Sequence, residues 1–220
     1  MNRQTDIFRK AEIKSEPKTL AWEELPPPPP GLLCSVKPPS EDECLSIWNF
    51  VGMPDHIRMH SELVAAYALF LGQQLVGRGV RLDLPGLYAA GLLHDIAKYF
   101  CLQNGGSHAQ VGAAWAVQLT AEPLLAQGVL HHVHWPWQIC FDCWPLPLLI
   151  QYADKRVMHN SFVDLKTRFD DLVKRYGHSE RSLYFLGRAR EQANCMEEQL
   201  LTKYKVDINA SFTHSWRLVQ

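Results

Sequence analysis

The sequence predicts an all-α fold, and three observations carry that prediction. Apolar residues recur at helical spacing along most of the chain after residue 40, as at Val64, Ala68, Leu71 and Leu75. Residues that typically start helices stand before several of these apolar runs. No segment shows a convincing alternation of apolar and polar residues of the kind that a half-buried strand has. We therefore expect a bundle of helices.

The helices can be placed in order from their start signals and apolar spacing. Ser40 and Glu43 have the spacing of a capping box, and so do Ser107 and Gln110. Asp83 is suited to cap a helix that begins at the following Leu-Pro pair. The expected helices are a short one from Ser40, then 57–77, 84–100, 107–119, 124–132, 146–158, 161–176, and a last one carrying Leu183 to Leu200.

Composition divides the 220 residues into three parts. Eight of the fourteen prolines lie in the first 39 residues, and they include the run Pro26 to Pro30. Such a stretch favours extended polyproline II conformation and cannot build a core. We expect residues 1–39 to be a flexible tail, residues 40–204 to form the helical domain, and residues 205–220 to be a C-terminal tail. The helix at 161–176 could pack on the core or form a homodimer contact.

Charge and hydropathy exclude several classes of protein. Lys and Arg number 22 against 23 Asp and Glu, so the chain lacks the basic excess expected for stable nucleic-acid binding. No apolar run approaches the roughly 18–20 residues that a membrane-spanning helix needs, and no signal peptide is apparent. We expect a cytoplasmic protein whose six cysteines are reduced. Cys140 and Cys143 are interpreted as half-buried thiols.

Histidines and aspartates occur in apolar segments, where charged groups need partners. His94 and Asp95 are adjacent in one such segment, and Asp154 lies in another. A buried carboxylate without a partner costs several kcal/mol. A His94–Asp95 hydrogen bond, or an ion pair between Asp95 and Lys98, would explain the first segment but not Asp154. A metal ion would satisfy all of these groups, and nitrogen and carboxylate ligands suit Fe, Mn, Zn or Ni.

This pattern resembles the HD superfamily of metal-dependent phosphohydrolases, and His94 to Lys98 resembles its HDIG variant with Ala97 in place of the usual glycine. The resemblance extends over about residues 54–176, with further matching segments in the family's order. No Gly-Tyr-Pro segment follows His132, which argues against hydrolysis of cyclic dinucleotides. The further segments are Arg58-Met-His60, the run from Ser107 to Ala113 with His108, Val129 to Val133, and Tyr152-Ala-Asp154-Lys155.

The resemblance implies a role for each matching residue. A first metal would be bound by His60, His94, Asp95 and Asp154. A second metal would be bound by His108 and His132 with Asp95 bridging, and His131 could replace or join His132. Asp95 and Lys98 would be the catalytic groups. Arg58, His131 and Lys155 would contact substrate. The cofactor would be two divalent ions, Fe or Mn, with Ni, Co, Zn or Mg as alternatives.

The implied activity is hydrolysis of a small phosphorylated substrate by a metal-bound hydroxide. A nucleotide or a dinucleoside polyphosphate is the expected substrate. Two other functions are compatible with the same residues: a di-iron oxygenase of the HD type, and a non-catalytic module that senses nucleotides. Lys98, in its phosphohydrolase-like context, favours the hydrolase.

Overall fold

The computed structural model describes residues 37–209, and these residues confirm the all-α prediction. The predicted proline-rich tail lies outside the described residues apart from positions 37–39, and so does the chain from position 210 onward. The helices are α1 (Glu41–Phe50), α2 (Asp55–Val76), α3 (Leu84–Leu93), α4 (Lys98–Asn104), α5 (His108–Thr120), α6 (Pro123–His131), α7 (Pro145–Arg156), α8 (Leu165–Tyr176) and α9 (Glu180–Thr202). Two short strands, β1 (Val157–Met158) and β2 (Ser161–Phe162), form an antiparallel pair.

Several helices begin where the capping residues predict. The Ser40 side chain accepts from the backbone of Glu43, whose carboxylate in turn accepts from the Ser40 backbone. Asp83 caps α3 through the backbone N–H of Gly86. Ser107 caps α5 through the N–H of Gln110. A cap of this kind typically contributes about 1 kcal/mol, so these positions fix helix starts with little help from packing.

The core forms where α2 packs on α3 and α7, while α6 packs on α3, α5 and α7. Val64, Ala68, Leu71 and Leu75, the apolar stripe of α2, are all fully buried. Among the described residues, no helix is both long enough and apolar enough to cross a membrane. The inward faces of these helices carry the polar residues described below, so the site is built on the core itself.

The prediction of one helix over 84–100 is wrong, because the chain turns at residues 94–97. α3 ends at Leu93 and α4 starts at Lys98. The backbone N–H of Ile96 bonds to Leu93 and that of Lys98 bonds to Asp95, a spacing of three residues. Adjacent residues of a continuous helix point about 100° apart, so they do not face the same site. The turn lets the side chains of His94 and Asp95 approach each other.

The prediction of a helix starting at Ser161 is also wrong, because that helix starts four residues later. Asp164 caps α8 by accepting from the Thr167 N–H at 2.6 Å. The preceding residues form the β1–β2 pair, and His159 in its connection has a left-handed backbone with φ of 56°. This connection lies beside α2, since the His159 carbonyl is 3.2 Å from His60 Nδ1.

Residues 204–209, most of which the sequence analysis assigns to a tail, pack against the bundle. Tyr204, Val206 and Ile208 are buried. The Tyr67 hydroxyl donates to the Ile208 carbonyl at 2.9 Å. Apolar and polar residues alternate in this segment, but the segment is too short for that pattern to predict the packing.

Gly91 allows α3 to approach α2 closely. A Cβ at this position would lie 2.5 Å from the Cα of Ala65 and 2.8 Å from its Cβ. Because the nearest atom belongs to the backbone of α2, the helices would have to separate to accommodate a methyl group. α2 carries His60 and His94 directly follows α3, so the spacing of these helices also sets the spacing of the two imidazoles.

We expect Gly91→Ala to lower the free energy of unfolding by about 1–3 kcal/mol, the usual cost of overpacking a core. Gly187→Ala is the matched control, since a Cβ at Gly187 in α9 would meet no atom within 4 Å. The control should be neutral or stabilising by up to about 1 kcal/mol, because alanine favours helix. Urea unfolding followed by circular dichroism measures both variants. Equal stability of the two would contradict this account of Gly91.

Candidate metal centre

Six imidazole and carboxylate side chains from separate elements meet at one place in the core. α2 contributes His60, and α7 contributes Asp154. Three histidines stand at helix ends, where a side chain can turn towards a neighbouring helix. The elements and their residues are α2 with His60, the end of α3 with His94 and Asp95, the start of α5 with His108, the end of α6 with His132, and α7 with Asp154.

Asp95 is the centre of this cluster, and its two carboxylate oxygens face different histidines. Oδ2 lies 3.4 Å from His94 Nε2 and 3.9 Å from His60 Nε2. Oδ1 lies 3.4 Å from His108 Nε2 and 3.6 Å from His132 Nε2. Two groups that could hold a metal ion therefore share this carboxylate, one with His60 and His94 and one with His108 and His132.

Asp154 adjoins the first of these two groups. Its Oδ1 lies 3.0 Å from His60 Nε2 and 3.9 Å from His94 Nε2. Its Oδ2 accepts from Lys155 Nζ at 2.5 Å. The structure thus brings together two carboxylates from α7 and the turn after α3, as the sequence pattern of acidic residues in apolar segments suggests.

Backbone carbonyls orient the imidazoles. The Nδ1 of His94 lies 2.7 Å from the Gly91 carbonyl, and the Nδ1 of His132 lies 2.6 Å from the Val129 carbonyl. His60 has the same arrangement with the His159 carbonyl. A carbonyl can only accept, so each Nδ1 carries the proton and a neutral ring keeps its lone pair on Nε2. This is the usual way in which a metal-binding histidine is held.

Some buried polar atoms of the cluster have no hydrogen-bond partner in the described part of the chain, and a bound cation would give them a partner. His94 Nε2 and Asp95 Oδ1 are buried and lack hydrogen-bond partners among the described residues. The Nε2 atoms of His108 and His132 lie 3.0 Å apart, although both face the same carboxylate oxygen. Buried polar atoms without partners are rare in folded proteins. Nitrogen and carboxylate donors in this arrangement are those that divalent transition metals prefer.

Burial and neighbouring charge set the ionisation of the cluster. Burial lowers the pKa of His132 well below its usual value, and it also lowers the pKa of His60 and of His108. Burial by itself would raise the pKa of Asp95, but His94 and Lys98 hold it well below its usual value. Burial by itself would lower the pKa of His94, but the Asp95 carboxylate outweighs that effect and the pKa of His94 is raised. Ionised carboxylates and neutral imidazoles are the forms that bind metals.

Lys98 reaches from the first residue of α4 back to the cluster. Its Nζ lies 2.6 Å from Asp95 Oδ2, and its side chain remains 33% exposed. Burial lowers the pKa of this amine, but the carboxylates of Asp95 and Asp154 outweigh that effect and the pKa is raised. The ammonium therefore contacts a candidate metal ligand on one side and an open cavity on the other.

Three residues were expected to contact substrate, and each of them contacts other parts of the protein instead. They are Arg58, His131 and Lys155. Arg58 donates to the Met53 carbonyl at 2.6 Å and to Asn49 Oδ1 at 2.8 Å. It therefore links α2 to the C-terminal end of α1 and the turn that follows. His131 packs against the rings of two tryptophans outside the cluster. Lys155 is buried and donates to Asp154 and to the His132 carbonyl, so it holds two candidate ligands in place.

Other residues, which no sequence motif indicated, line the cavity beside the cluster. Arg168, Arg175 and Tyr176 come from α8, and His159 comes from the β1–β2 connection. Arg168 occupies the inward face of α8 between the buried Leu165 and Leu172. A charged residue within an otherwise apolar helical stripe is the one sequence signal that could have identified it.

The fold and this cluster define a helical domain that carries a His/Asp site able to hold metal ions. The family model described as HD domain matches residues 56–160, so this part of the chain is an HD domain. No curated protein and no solved structure matches the chain significantly. The matched segment contains His60, His94, Asp95, His108, His132 and Asp154. It ends before α8 begins.

Proposed function

We propose that the chain is a metal-dependent phosphohydrolase that cleaves a phosphate ester of a small molecule. The observation that carries the proposal is the position of Asp95 between two imidazole pairs. HD domains belong to a superfamily of metal-dependent hydrolases. A nucleotide or a dinucleoside polyphosphate is the proposed substrate, on the strength of the resemblance described above.

The proposed ligand set uses both groups around Asp95. His60, His94 and Asp154 would hold one ion, His108 and His132 would hold the other, and Asp95 would serve both. Such a pair of divalent ions supplies a nucleophile near neutral pH and neutralises charge on phosphate oxygens. Fe or Mn is the proposed metal, with Ni, Co, Zn or Mg as alternatives to be measured.

The protein's own side chains would orient the phosphate group. Lys98 is the proposed catalytic cation, since its ammonium reaches the cavity from beside Asp95. Its N–H donors can bind a nonbridging oxygen or the leaving oxygen, where negative charge grows during phosphoryl transfer. The Lys98–Asp95 ion pair also fits a purely structural role, so a variant has to separate the two.

Elemental analysis of protein purified without chelator, followed by a substrate panel, tests this function. We expect divalent metal to copurify and turnover of at least one nucleotide phosphate ester with Mn, Fe, Ni, Co or Mg. Chelation should abolish turnover, and readdition of metal should restore it. Metal-loaded protein that hydrolyses no phosphate ester would overturn the proposal, and oxygen-dependent substrate consumption would identify the oxygenase alternative.

A further inference from the structure

A cavity of about 180 Å³ adjoins the candidate metal centre, and its polar wall is basic or neutral. Lys98 and His60 line its inner side. Arg168, Arg175 and Tyr176 of α8 line the remainder, together with two other histidines and two aliphatic residues. No carboxylate among the described residues lines this cavity, so its surface favours an anion.

Arg168 has donor capacity that the protein does not use. The residue is only 6% exposed, and its Nε has no hydrogen-bond partner within residues 37–209. Its terminal nitrogens lie 3.7 Å from Asp154 Oδ1 and 3.6 Å from Asp171 Oδ2. Charge-assisted hydrogen bonds are shorter, at about 2.7–2.9 Å. A buried guanidinium with unfilled donors that lines a cavity points to a ligand in that cavity.

Arg175 extends this basic surface outward along the same face of α8. It lies two turns after Arg168, which corresponds to a rise of roughly 10 Å along the helix. Its Nη2 lies 2.9 Å from Asp171 Oδ2, so Asp171 positions Arg175, while the same oxygen lies 3.6 Å from a terminal nitrogen of Arg168. Its side chain is 39% exposed, and the group is therefore accessible to a ligand.

The basic residues that line the cavity have their carboxylate neighbours outside its wall. Lys98, Arg168 and Arg175 line the cavity, whereas Asp95, Asp154 and Asp171 do not. Divalent ions at the cluster would add positive charge at its inner end. One phosphoryl group bound there would leave the exposed side of Arg175 open to a further anion.

Building on the proposed function, we infer that α8 forms a subsite for a second phosphoryl group. Arg168 and Arg175 bind the phosphate that follows the one at the metal centre, and Asp171 positions Arg175. The preferred ligand is then a diphosphate or a longer oligophosphate ester, and a monophosphate fills only the inner part of the site. The guanidinium plane suits phosphate because it presents paired N–H donors.

Binding of two small phosphorus oxyanions to the full-length protein, as purified and with its metal content measured, tests the subsite. Isothermal titration calorimetry compares inorganic phosphate with methylenediphosphonate, a diphosphate analogue that resists hydrolysis. We expect the wild type to bind the diphosphonate at least about tenfold more tightly, as one added charge-assisted contact would give. Arg175→Gln should lose most of this preference, while its affinity for phosphate changes little.

Lys174→Gln is the matched control, because it removes one positive charge from α8 at an exposed position outside the cavity. It should keep the wild-type preference within about twofold, as expected for a surface charge. Arg168→Lys keeps the buried charge but loses the paired donors, and it should weaken diphosphonate binding more than phosphate binding. Circular dichroism checks that each variant folds.

Equal affinity of the wild type for the two probes, or an unchanged preference in Arg175→Gln, would overturn the subsite. The outcome is separate from that of the proposed function. A diphosphonate preference that Arg175→Gln removes, in protein that hydrolyses no phosphate ester, would keep the subsite and reject the hydrolase. Hydrolysis of phosphate esters without any such preference would reject the subsite alone.

Discussion

Asp95→Asn should greatly reduce turnover and remove most of the bound metal. Asp95 is the only carboxylate that both candidate ligand groups of the described residues share, so its loss affects both. An amide is a weaker ligand than a carboxylate and carries no charge to offset that of the cations. We expect kcat to fall on the order of 10³-fold, because unbound water has a pKa of 15.7 whereas metal-bound water has one of about 7.

Metal content by elemental analysis and steady-state kinetics measure the effect of this substitution. Asp142→Asn is the control, since Asp142 pairs with Lys203 on the surface. That variant should retain its metal and its turnover. The amide is nearly the same size as the carboxylate, so circular dichroism should show a folded Asp95→Asn protein. A folded variant with full metal content and activity would contradict the central position given to Asp95.

Lys98→Ala should lower kcat by about 10²–10³-fold and leave metal content unchanged, because removal of one preorganised donor from developing charge typically has that effect. The six proposed ligands all remain in this variant. The Lys98 side chain is 33% exposed and otherwise buried, so the thermal midpoint is needed to measure any packing that is lost. Turnover, metal content and the thermal midpoint should be measured together.

Lys166→Ala is a suitable control for this variant. Lys166 also pairs with an aspartate, Asp170, at 2.7 Å, but both side chains are exposed. The control should change neither turnover nor metal content. If Lys98→Ala instead lost metal and thermal stability while the turnover of each metal-loaded molecule stayed at the wild-type level, Lys98 would be a structural partner of Asp95.

The helical fold was predictable because its signals are local. Ser40, Asp83 and Ser107 cap helices as their spacing indicates, and the apolar stripe of α2 is buried as its period requires. The predicted boundaries are wrong at two places. At residues 94–97 the chain turns although the local helical pattern continues, and at residues 157–162 the β1–β2 pair replaces the predicted helix ends.

The sequence alone did not decide which of the two adjacent histidines at the end of α6 is a candidate metal ligand. His131 and His132 share a helix end, and neighbouring residues on a helix point in different directions. Packing turns His132 towards Asp95, while His131 faces the tryptophans. Arg168 was overlooked for the same reason, since its proximity to Asp154 depends on how α8 lies against α7.

Local sequence is enough to predict that this chain forms helices with imidazoles and carboxylates on their apolar faces, because helix period and residue type are properties of short segments. Which of these groups meet depends on how the helices pack. His60 and Asp154 are separated by 94 positions, and their 3.0 Å contact exists because α2 and α7 pack side by side. Distances of that kind follow from the packing of whole helices, which no local pattern specifies.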